Sequence, residues 1–139
     1  MIDNTFVKLH KMSDEFHLTG SRFFGTNHVN SDWDFMVKDT PYIGQKLTEI
    51  GFVHVPNDYL DPLTVGLYGH TKDNIHVQTV TNIRLKLMAQ EYIKNHNWLR
   101  NKNKAQQKIV WQITLEIFED IEKGFIGPGC KWSLSTPHI

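Results

Sequence analysis

The chain has 139 residues, 40% hydrophobic and 12% aromatic, which is enough for the core of one domain. Its 15 basic and 15 acidic residues cancel, so no global charge draws it to nucleic acid or to a membrane, and any such attraction must be local. A lone cysteine, Cys130, excludes an internal disulfide, no apolar run approaches the roughly 20 residues of a membrane span, and Met1 to Asn4 lacks the start of a signal peptide, so the chain reads as soluble and cytoplasmic.

In chain order, Phe6, Val7, Leu9 and His10 predict a short helix over Asn4 to Met12, with Asn4 or Thr5 as its cap. Phe16-His17-Leu18-Thr19 alternates apolar and polar side chains and reads as a short strand that Gly20-Ser21 ends. Arg22 to Thr26 follows as a short helix or tight turn, and Asn27 to Ser31 as loop. Asp32 to Lys38 predicts a second strand, with Trp33, Phe35 and Val37 on its buried face and Asp32, Asp34 and Met36 lining a cleft. Asp39 or Thr40 caps a helix over Tyr42 to Ile50, which Gly51 ends. Phe52 to Val55 is a short strand, residues 56–63 are loop, and Thr64–Tyr68 and Ile75–Val80 form a hairpin around the turn formers Gly69 to Asn74.

After Asn82 the period changes to 3.6. Ile83, Leu87, Glu91 or Tyr92, and Leu99 carry a helix of about 17 residues, and Asn101-Lys102-Asn103 breaks it. A second helix spans Lys104 to Lys123 with Ile109, Ile113, Ile117, Phe118 and Ile121 as its apolar stripe, and Gly124 terminates it. The tail, Phe125 to Ile139, reads as irregular and pinned by Phe125 and Trp132, with Cys130 inert. The predicted class is α+β: a mixed sheet of about four to five strands, helices packed on one side, and two long C-terminal helices. Residues 1–139 form a single domain in this reading, with a core over about 5–80 and a helical part over about 83–124.

Chemistry concentrates in two short runs, Gly20-Ser21-Arg22 and Ser31-Asp32-Trp33-Asp34-Phe35. On a strand, Asp32 and Asp34 point the same way, roughly 6.5–7 Å apart along the backbone. Two parallel carboxylates beside a phosphate-holding turn suit a divalent cation carrying a nucleoside triphosphate. The eight histidines are scattered, and no pair has the spacing of a helical zinc site.

This grouping resembles the signature of the nucleotidyltransferase superfamily that includes DNA polymerase beta and the minimal nucleotidyltransferases. That signature is a Gly-Ser after a hydrophobic strand, then two acidic residues flanking one residue on the next strand. Gly20-Ser21, Arg22, Gly25 and Ser31-Asp32-Trp33-Asp34-Phe35 carry the likeness, with ten residues between Ser21 and Asp32. The resemblance implies transfer of a nucleoside monophosphate from a triphosphate to a hydroxyl acceptor. Gly20, Ser21, Arg22 and Ser31 would bind the nucleotide, and Asp32 and Asp34 would hold Mg2+ or Mn2+.

The family's third carboxylate, on a later strand, has no equivalent here: the matching position is His76, with Asp73 three residues earlier in the turn. Histidine is a poor magnesium ligand, but its ordinary pKa of about 6.5 suits a general base. Two outcomes stay open: a transferase with His76 as a catalytic residue, or a degenerate fold that binds a nucleotide, an RNA or a protein. A carboxylate joining Asp32 and Asp34 favours the first, and His76 alone facing them favours the second. The basic stretch Arg84 to Lys108, with Trp98 available for stacking, reads as a solvated helix face or a local nucleic-acid contact.

Overall fold

The structure is a computed structural model that describes residues 2–12, 15–56 and 61–124, residues 2–4 by their backbone alone. The expectations for Asn57-Asp58 and for Phe125, Cys130 and Trp132 lie outside the described residues. The chain divides into two compact units, the first ending at Ile83 and the second beginning at Arg84.

The first unit carries helices α1 (Ile2–Met12), α2 (Gly20–Phe24) and α3 (Ile43–Glu49). Its strands are β1 (His17–Thr19), β2 (Trp33–Lys38), β3 (Phe52–His54), β4 (Thr64–His70) and β5 (Ile75–Val80). They form one sheet in the order β1-β2-β5-β4-β3, in which only β2 and β5 run parallel. The class is α+β with a mixed five-stranded sheet, as expected.

The period-2 pattern of β2 and β5 explains which face is buried. Val37, Ile75 and Val77 join Leu9 of α1, Ile43 and Leu47 of α3, and Phe52 of β3 in one buried cluster. Trp33 and Phe35 pack against it, and Phe6 of α1 meets both rings edge-on at 5.5 and 5.6 Å. Helices α1 and α3 therefore cover the aromatic face of the sheet.

Two local expectations are corrected. Asp32 stands one residue before β2 and not on it. The reason is pairing: the parallel ladder opens at Trp33 with Ile75, and on the other side β1 ends where Thr19 meets Asp34. Helix α3 is not capped by Asp39 or Thr40. Pro41 biases Thr40 toward extended backbone, so the helix starts late, behind Tyr42 at φ 71 with no side-chain cap.

Asp73 turns toward the core side. Its carboxylate takes the Thr5 hydroxyl of α1. His70 orders the same turn: its Nδ1 accepts from the amides of Lys72 and Asp73 at 3.2 and 3.0 Å, which leaves Nε2 to donate to the Ile50 carbonyl at 3.0 Å. The Thr5 hydroxyl holds the Asp73 carboxyl below its ordinary 3.8. A depressed folded-state value stabilises the fold above the unfolded value and is lost as pH falls through the folded one. Asp73→Asn should therefore lower the melting temperature at neutral pH, with the gap to wild type closing below pH 4 or so; melting curves at several pH values check this.

The second unit holds α4 (Ile83–Asn95), which starts at the boundary, and α5 (Lys104–Glu122). Helix α4 stops earlier than its apolar spacing suggests, and the chain then turns through Asn97 and Asn101, both at positive φ. Asn103 caps α5 with a reciprocal pair: its side chain accepts from the Gln106 amide, and the Gln106 side chain accepts from the Asn103 amide, both at 2.9 Å.

The expected apolar stripes are rotated. In α4 the buried side chains are Leu85, Lys86, Ala89, Gln90 and Ile93; in α5 they are Thr114, Leu115 and Asp120. Ile109 and Ile113 are half exposed. Buried polar groups with partners of their own account for the mismatch: Thr114 donates to the Val110 carbonyl one turn back at 2.7 Å, and the Lys86 ammonium of α4 sits 5.6 Å from the Trp111 ring centre of α5. Leu115 is 2% exposed and Ile113 is 51% exposed. Leu115→Ala should cost about 2–5 kcal/mol and Ile113→Ala much less, as denaturant unfolding would show.

Candidate metal centre

The site forms where three strands meet. Asp34 on β2 is the register partner of Thr19 on β1 and of His76 on β5. Paired residues project to the same face, so the Asp34 carboxylate and the His76 imidazole stand side by side on the face opposite the aromatic core. Asp32, two residues earlier, adds the third group. One ligand atom from each of Asp32, Asp34 and His76 lies within 4.8 Å of the others, and among the described residues no further carboxylate, histidine or cysteine joins them.

Gly20 follows Thr19 directly and so sits beside Asp34. Its φ is +72°, a conformation that costs a side-chain-bearing residue roughly 1–2 kcal/mol, and a Cβ there would collide with the Asp34 carboxylate. Gly20 opens α2, and Gly25 closes it with its amide on the Ser21 carbonyl.

Burial holds the Asp34 carboxyl above its ordinary 3.8; His76 opposes that rise and the Asp32 charge adds to it. The His76 Nδ1 atom lies 3.4 Å from Asp32 Oδ2 and 3.9 Å from Asp34 Oδ1. It is buried and makes no hydrogen bond. A divalent cation among these donors would satisfy the orphaned nitrogen, and it would offset the like charge of the two carboxylates. The residues present therefore fit a metal ion.

The other expected site residues are placed as follows. Arg22 leans onto the loop ahead of β2: its Nε and one terminal nitrogen donate to the Ser31 carbonyl at 3.2 and 2.9 Å, and that nitrogen also reaches the Val29 carbonyl at 3.3 Å. The guanidinium lies 4.1 Å over the Trp33 ring. Arg22 thus ties α2 to the segment carrying Asp32. The Ser31 hydroxyl accepts from the His28 amide at 2.9 Å and closes that loop. Ser21 sits beside Gly20 at the start of α2. Asp73 is bound to Thr5 and does not join the acidic pair.

In the second unit the basic stretch is not one open positive face. Arg84 pairs with Glu122 at 3.0 Å, and Lys86 is buried. Trp98 stacks edge-on with Tyr92 at 5.0 Å between ring centres.

Gly69, expected in the turn of the hairpin, lies on β4, which runs on to His70 because Gly69 and His70 still have strand partners in His76 and Phe52. It is the β4 register partner of His76, and a Cβ on it would stand 3.2 Å from His76 Cδ2 and 3.3 Å from Nε2. At the end of a strand pattern a glycine reads as a turn former, so the sequence carries no separate signal for this close approach.

No protein-family model matches the chain, and no curated protein or solved structure is similar enough to count as a match. No helix among the described residues is long and apolar enough to cross a membrane.

Gly20→Ala should destabilise the protein by more than the roughly 1–2 kcal/mol of its backbone conformation. Adding Asp34→Ala should return the steric share only, so the double variant should be less destabilised than the sum of the single ones. A double-mutant cycle by urea unfolding measures that coupling.

Proposed function

We propose that the chain is a metal-dependent nucleotidyltransferase that moves a nucleoside monophosphate from a nucleoside triphosphate to a hydroxyl acceptor. One observation carries this reading: Asp32 and Asp34 converge beside the Gly20-Ser21 turn, in the order and spacing of the superfamily the sequence resembles. In this reading Asp32 and Asp34 hold Mg2+ or Mn2+. The cation supplies charge neutralisation of the triphosphate and of the developing charge at the transferred phosphoryl group. Gly20 and Ser21 bind the phosphates through backbone amides and the Ser21 hydroxyl. Arg22 positions the Ser31-Asp32 segment by donating to the Ser31 carbonyl.

A second reading is favoured by a specific observation. His76 alone completes the cluster, while Asp73 is engaged with Thr5. Without a third carboxylate the fold would bind a nucleotide, an RNA or a protein partner without turnover.

The two readings separate in one assay. The protein is incubated with each labelled nucleoside triphosphate and Mg2+ or Mn2+, beside Asp32→Ala/Asp34→Ala. The transferase reading expects label on the protein, an RNA or a small acceptor, reduced at least 100-fold in the double variant. Nucleotide binding that needs no metal, with no label transferred, favours the binding module and removes the enzyme.

A further inference from the structure

We propose that His76 is itself a metal ligand through Nδ1, and that it tunes the centre to a borderline transition cation such as Mn2+ or Co2+ in preference to Mg2+. The inference rests on the reading of Asp32 and Asp34 as a metal-holding pair and adds which metal the pair and its neighbour select.

Three observations support the ligation. The first is distance. Two atoms each about 2.1 Å from a shared ion lie no more than about 4.2 Å apart. The separations of His76 Nδ1 from Asp32 Oδ2 and Asp34 Oδ1, 3.4 and 3.9 Å, both fall inside that span.

The second is the orphaned nitrogen. A histidine serving only to pair with a carboxylate would donate a hydrogen bond to it. His76 Nδ1 is shielded from solvent with two carboxylates nearby, yet it bonds to neither. Buried polar atoms ordinarily find a partner, and a cation accepting the Nδ1 lone pair is the partner this geometry allows.

The third is how the ring is held. Strand β5 lies between β2 and β4, so His76 has Asp34 on one side and Gly69 on the other. The Cδ2–Nε2 edge of the imidazole rests over the bare Cα of Gly69. That seating turns Nδ1 toward β2. A side chain at position 69 would stand 3.2–3.3 Å from the ring edge and push it off this seat.

The selectivity follows from ligand chemistry. Mg2+ is hard, prefers oxygen and gives up water reluctantly, so an imidazole adds little for it. Mn2+ and Co2+ accept both carboxylate and imidazole, and affinity for nitrogen rises along that series. Two carboxylates and one imidazole favour the second group.

Metal binding is measured on the full chain without nucleotide, by titration calorimetry and by electron paramagnetic resonance for Mn2+. The unaltered protein should bind Mn2+ and Co2+ about tenfold or more tightly than Mg2+. His76→Gln should lose at least about 10–100-fold in affinity for Mn2+ and Co2+, since that much is lost when only a group behind a ligand is removed, and should change little for Mg2+. His76→Asp should restore Mg2+ binding relative to Mn2+ and narrow the preference. If His76→Gln does not fold, pulsed resonance of Mn2+ bound to the unaltered protein decides: modulation from an imidazole nitrogen supports the ligation and its absence overturns it.

Unchanged Mn2+ and Co2+ affinity in His76→Gln, or equal affinity for the three cations in the unaltered protein, overturns the proposal. Because no nucleotide is present, a lack of label transfer removes the transferase reading and leaves this one standing. Label transfer lost in His76→Gln with metal affinity intact would make His76 a base and overturn its role as a ligand.

Discussion

The parallel ladder between β2 and β5 is the constraint on which the rest depends. Parallel neighbours cannot be joined by a tight turn, so the chain must leave the sheet and return between them. Here it returns through α3, β3 and β4 before β5 enters beside β2. That excursion places residues more than forty positions apart in direct register, Asp34 beside His76 and Trp33 beside Ile75. One pairing thus assigns both faces at once: aromatic and aliphatic side chains meet α1 and α3, and the carboxylate and imidazole face away from them. A one-residue slip would send the charged groups into the core and the aromatic ones out. Burying Trp33, Phe35 and Val37 therefore also fixes the geometry of the candidate metal centre.

A second layer of restraint holds Asp32, which lies beyond the reach of the ladder. Arg22 takes over where strand pairing ends, with its guanidinium on the Ser31 carbonyl and its plane over Trp33. Because Arg22 belongs to the helix that Gly20 opens, the glycine turn and the acidic pair are tied together. Asp34 touches that assembly from the other side, close enough to Gly20 to exclude a side chain. The two short runs that stood apart in the sequence are one connected piece of structure.

Much of this is legible in the amino-acid sequence. The alternation in residues 32–38 and 75–80 predicted the two strands and the buried face, and Asp32, Asp34 and His76 do come together. The pairing of His76 with the acidic residues came from the family likeness, because no spacing rule links residues so far apart. Alternation extends the strand to Asp32 because it continues past the point where partners run out. The direction of Asp73 depended on Thr5, which lies 68 residues away in the chain. The helices of the second unit were found, but their buried faces were not: hydropathy marks the isoleucines, whereas Lys86, Gln90, Thr114 and Asp120 are the buried polar side chains. A polar group with a partner can enter a protein interior, and a hydropathy pattern carries no record of the partner.

The strand order has one more consequence. The outermost strands, β1 and β3, are three residues each; β5 is paired on both sides from His76 to Val80, while β2 and β4 meet the outer strands only over Asp34 to Met36 and Tyr68 to His70. A sheet exposes its unmatched amides and carbonyls only along its edges, and long flat edges recruit further strands from other chains. The edge strands themselves, at three residues each, offer little of that template. The β-branched run of β5 is shut inside by the strand order and is withheld from strand addition.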